Sequence, residues 1–70
     1  MLVLKVGDKV EIGKVPPGMK SEGTVTQILG HGHVAVDLDD DRPFMFSGGQ
    51  ILRINGVAVT HRGYSEYLLA

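Results

Sequence analysis

The residues able to do chemistry are few and fall in three places. His31-Gly32-His33 sets two imidazoles two positions apart, and on an extended strand side chains at that spacing point the same way. Such a pair could share a metal ion, with His61 as a third ligand. The competing reading is preferred: glycines bracket a hairpin turn, and the histidines are polar residues at its exposed tip. Asp37, Asp39, Asp40 and Asp41 gather the carboxylates that a hard cation wants, but the stretch lacks the glycine and the distal glutamate of a helix-loop-helix calcium site. It reads as a solvated turn, with an acidic contact surface for a basic partner as the second reading. Ser47-Gly48-Gly49 could offer amides to an anion, although two glycines after a strand are more often only a turn.

Catalytic machinery is thin. The chain has no cysteine nucleophile and no Gly-x-Ser-x-Gly elbow, and Ser21, Ser47 and Ser65 stand in no context that marks a base beside them. The reading is therefore of a protein that is not an enzyme and that needs neither cofactor nor metal.

The elements that hold these residues are strands. Seventy residues make at most one domain, and a chain of that size buries only roughly 60% of the surface its unfolded form exposes, so the core is small. Ten glycines mark many turns rather than long helices. The absence of cysteine excludes disulfide staples and points to a reducing, cytoplasmic setting. The apolar run Met1 to Leu4 is far short of a membrane span, so no membrane association is expected. A formal charge of −1 lacks the basic excess of most phosphate-gripping modules.

In chain order, Leu2, Leu4 and Val6 alternate as an edge strand or a cover for an open barrel end. Lys9 to Ile12 reads as a first barrel strand with Val10 and Ile12 inward, and Pro16-Pro17-Gly18 makes the following segment a loop. Gly23 to Leu29 reads as a second strand whose inward residues, Val25 and Ile28, are three apart, so a β-bulge is expected near Thr26-Gln27. His33 to Leu38 and Arg42 to Phe46 are the third and fourth strands. Gln50 to Ile54 gives one turn and a closing strand, with Leu52 and Ile54 inward. Beyond the Asn55-Gly56 turn, Val57 to Thr60 is one more strand. Ser65 to Leu69 is a short helical turn or an extended tail.

The order Val6-Gly7-Asp8-Lys9-Val10, Glu22 to Ile28, Val34 to Leu38, Phe44-Met45-Phe46 and Ile51 to Ile54 resembles an SH3-like small barrel, of the superfamily that includes KOW and Tudor domains. The resemblance covers roughly residues 5 to 55. It implies an all-β fold: a five-stranded barrel over 1–60 with an extra C-terminal strand, and a short helical or extended tail over 61–70. A looser likeness, through the Gly-Asp turn and Leu52-Arg53-Ile54-Asn55, is to plasmid-borne type II dihydrofolate reductases. Where their active strand reads Val-Gln-Ile-Tyr this chain has Phe44-Met45-Phe46-Ser47, so no reductase residue is carried over. That likeness implies fold and oligomerisation, with a reductase as the remote alternative.

Apolar residues outnumber what such a barrel can bury. Val6, Val10, Ile12, Val25, Ile28, Val34, Val36, Leu38, Phe44, Phe46, Leu52 and Ile54 fill a core, while Leu2, Leu4, Met19, Met45, Val57, Val59, Tyr64, Tyr67, Leu68 and Leu69 are left over. Some of these cover barrel ends; Met45, Tyr64, Tyr67, Leu68 and Leu69 are the candidate partner contacts, and a tail folded back over its own barrel is the equal alternative. The expected function is protein binding, by self-association as a homo-oligomer or as a small accessory or inhibitory subunit of a larger complex. The runner-up is a KOW-like nucleic-acid-binding module, because Phe44 and Phe46 could stack bases and the scattered Lys and Arg could cluster in space.

Overall fold

The computed structural model describes residues 1–38 and 42–70, so the expected acidic turn at Asp39, Asp40 and Asp41 lies outside the described residues. The chain is all-β. Among the described residues eight strands run β1 (Leu2–Val3), β2 (Lys9–Ile12), β3 (Glu22–Ile28), β4 (His33–Asp37), β5 (Pro43–Ser47), β6 (Ile51–Ile54), β7 (Val57–Gly63) and β8 (Glu66–Leu69). A single turn of 3-10 helix, Gly48–Gln50, separates β5 from β6. No described helix is long and apolar enough to cross a membrane.

Every neighbouring pair is antiparallel, in the order β1-β8-β7-β6-β2-β3-β4-β5. The sheet is not closed, and β1 and β5 are its free edges. Two-residue turns set the tight hairpins. His31 and Gly32 both have positive φ (64° and 78°), as do Asn55 and Gly56 (50° and 82°), which is the backbone a right-twisted hairpin favours. Asn55 also ties its turn to the start of β2: its side chain accepts from the Lys9 amide at 3.0 Å and donates to Asp8 at 3.2 Å.

Bulges decide which residues face inward. On β3 the register passes from Val25↔Val36 to Gln27↔Ala35, leaving Thr26 as the extra residue where a bulge is expected. A second bulge falls on β6, where Ile54 faces Val10 and Ile51 faces Ile12, so Leu52 is extra. The core is accordingly built of Leu4, Val10, Ile12, Val25, Val34, Val36, Leu38, Phe46, Ile51, Ile54, Val59 and Tyr67, with Leu2, Val15, Met19 and Phe44 packed against it.

Three expected core residues are outside. Val6 sits in the turn before Gly7, and Leu4 takes its place in the interior. Ile28 keeps the inward phase, opposite Val34, but at the end of its strand it stays partly exposed. Leu52 is thrown out by the β6 bulge and lies over Gly13.

The C-terminal residues are extended, not helical. β7 runs through position 60, and β8 lies between β7 and β1, so the two ends of the chain are joined in one ribbon. The Leu4 amide extends this pairing by donating to the Ser65 carbonyl at 2.8 Å.

Candidate interaction surfaces

Tyr67 is the one expected contact residue that the fold withholds. Its ring is fully buried, its hydroxyl donates to the Gly48 carbonyl at 2.8 Å, and the His61 ring packs against it at 5.1 Å between centroids. Burial pushes its phenol up to about 12, because the charged form would lose its water. Alternation along β8 explains the placement: Tyr67 faces Leu2 on β1 and His61 on β7, all turned to the interior side. The side chain that looked like an anchor for a partner is therefore an internal bolt.

The remaining four candidates are on the surface, in two separate places. Tyr64 is 78% exposed at the β7–β8 turn, where its carbonyl accepts from His61 Nε2–H at 2.9 Å. Leu68 and Leu69, 46% and 68% exposed, follow on β8. Met45, 64% exposed, lies on β5, the edge at the far end of the strand order from β8.

Two further apolar residues belong with Leu68. Val3 faces Glu66 directly across β1 and β8, and Leu68 stands two residues beyond Glu66, so both share the outward face of the ribbon. Met1 shares it by alternation, and its sulfur accepts from the Arg62 guanidinium at 3.0 Å. Val3 and Met1 are missing from the sequence reading, although the alternation with Leu2 and Leu4 could have found them.

His31 and His33 are not set side by side. His31 occupies a left-handed turn position rather than an extended one, so it does not run parallel to His33 as the shared-metal reading requires. Among the described residues no group of three His, Asp or Glu side chains could hold a metal ion. Ser47-Gly48-Gly49 spends its amides internally. The Ser47 amide donates to Gln50 Oε1, Gly49 to Ser47 Oγ, and Gly48 to the Gly32 carbonyl. An anion would have to displace all three.

A depression of about 290 Å³ crosses β6, β2, β3 and β4, and it brings Lys9 and Arg53 together with Glu11, Glu22 and Asp37. One row runs Lys9, Thr24, Asp37 and the next Arg53, Glu11, Glu22. Arg53 Nε and Glu11 Oε1 are 3.7 Å apart with both side chains largely in water, a pair of little energetic weight. Comparison with known protein families, with curated proteins and with solved structures gave no match.

Proposed function

We propose that this chain is a non-enzymatic protein-binding module built on an SH3-like barrel, acting by self-association or as a small accessory or inhibitory subunit. The barrel reading is supported by β2 to β6, which take the order β6-β2-β3-β4-β5 with one turn of 3-10 helix before the last strand. β7, β8 and β1 extend that unit. The observation that carries the binding reading is the placement of large apolar side chains outside an already filled core. Met45 stands on one free edge, and Val3 and Leu68 stand together on the outward face next to the other. Apolar side chains grouped on a small domain's surface commonly mark a protein contact.

The nucleic-acid reading has less behind it. Lys9 and Arg53 share their face of the sheet with Glu11, Glu22 and Asp37 and form no basic stripe there, and Phe46 is buried while Phe44 packs against the core. Neither ring is offered flat to a base.

Sedimentation equilibrium across micromolar concentrations tests the self-associating form. The expected result is a mass that rises above 7.5 kDa with concentration and falls back on whichever of Met45→Lys and Leu68→Asp alters the contact surface. A strict monomer, indifferent to both changes, removes self-association. A salt-dependent shift with oligonucleotides would instead promote the nucleic-acid reading.

A further inference from the structure

Strand β5 is a free edge with an unusual distribution of backbone donors. The Gly48 amide donates to the Gly32 carbonyl at 2.7 Å, one step beyond the Ser47↔His33 pair of the β4–β5 ladder. In an antiparallel ladder, successive residues turn their main-chain groups alternately to one neighbour and to the other. The phase set by Gly48 therefore assigns Phe46 and Phe44 to β4, and it aims Pro43, Met45 and Ser47 at the open edge. The β4 side agrees: the His33 carbonyl accepts from Leu29 on the opposite flank.

Of those three outward residues, only one has a donor to give. Pro43 has no N–H, and the Ser47 N–H is taken by Gln50 Oε1 at 3.1 Å. Met45 keeps its N–H and carbonyl side by side at the centre of the strand, beneath a side chain that is 64% exposed.

We infer that β5 pairs with β5 of a second copy, antiparallel about a two-fold axis through Met45. This rests on the self-association reading above and names its surface. A two-fold antiparallel contact needs one residue whose N–H and carbonyl can be exchanged with its own image, and Met45 supplies that. The side chains suit their own reverse as well, since Phe44-Met45-Phe46 reads the same in both directions and sets Phe44 opposite Phe46 of the second copy. Among the described residues no charge opposes the contact: β5 has none, and Arg42, just before it, would face Gly48 of the second copy. The other free edge, β1, has only two residues to offer.

The test uses the full chain made by chemical synthesis with the Met45 amide N-methylated, which removes one donor that makes no bond within the protomer. Sedimentation equilibrium should show self-association weakened about tenfold or more, since two exchanged bonds are lost. Met45→Lys should weaken it as well, by setting like charges face to face, and Leu68→Asp should leave it unchanged. In the unmodified chain the Met45 amide should exchange quickly with solvent when dilute and become protected as concentration rises. If the chain associates but only Leu68→Asp disrupts it, with Met45 unprotected, the β5 pairing is wrong and self-association stands through the ribbon. A chain that stays monomeric at every concentration overturns both.

Discussion

At Gly48 three side-chain and backbone groups converge on a position with no room for a β-carbon. A Cβ built there would come within 2.8 Å of His61 Nε2, 3.1 Å of the Tyr67 hydroxyl and 3.2 Å of the Gly32 carbonyl. This is where the turn after β5 is fastened to β7 and β8. Gly48→Ala should cost about 1–3 kcal/mol by overpacking, read as a lower urea midpoint. Tyr67→Phe should cost less, about 0.5–1.5 kcal/mol, because the buried Gly48 carbonyl loses the phenol but keeps the Ile51 N–H as a donor. Tyr67 also sets an alkaline limit. The folded chain holds the phenol protonated up to about 12, whereas the unfolded chain releases the proton near 10.0. Below pH 10 neither state ionises and the full stability is present. Between pH 10 and 12 the unfolded state alone gains charge, so stability should fall as pH rises. Urea midpoints measured through that window should decline in the parent chain and decline less in Tyr67→Phe.

At the scale of elements, bulges separate what the sequence could show from what it could not. The β3 bulge was legible because Val25 and Ile28 break the two-residue period, and only an extra residue restores it. The β6 bulge was hidden, since Leu52 and Ile54 alternate properly and Ile51 is as apolar as either. What overrides that alternation is register: Val10 and Ile12 on β2 are met by Ile54 and Ile51, with Leu52 skipped between them. The energetic consequence is large and opposite to the sequence reading. Ile51→Ala, at a site 1% exposed, should cost about 2–5 kcal/mol, and Leu52→Ala, at 46%, should cost well under half of that. A larger drop in urea midpoint for Leu52→Ala would mean that β6 has the other register. The candidate contacts divide in the same way. Met45 and Leu68 could be read from composition and period, but the burial of Tyr67 depends on β8 lying between two strands, a long-range pairing that no local pattern announces.

At the scale of the whole molecule, the pairing of β8 with both β1 and β7 means that the last ten residues cannot be judged as an appendage. Removing 61–70 takes away Tyr67 from the core, the last three residues of β7, and the only strand among the described residues that pairs with β1. Leu2 and Leu4 would then lose the ribbon they pack with, and Val59 would be uncovered. For a domain of this size the margin is of order 5 kcal/mol, and stripping one buried aromatic alone costs about 3–5 kcal/mol. The shortened chain 1–60 should therefore lose its cooperative thermal transition and its dispersed amide spectrum. Loss of association in that truncation would report unfolding rather than the loss of a contact surface, which is why Leu68→Asp and the Met45 changes are the cleaner probes. Should 1–60 keep a sharp transition near that of the full chain, β2 to β6 would be a self-sufficient barrel, and the ribbon of β7, β8 and β1 would be free to serve binding alone.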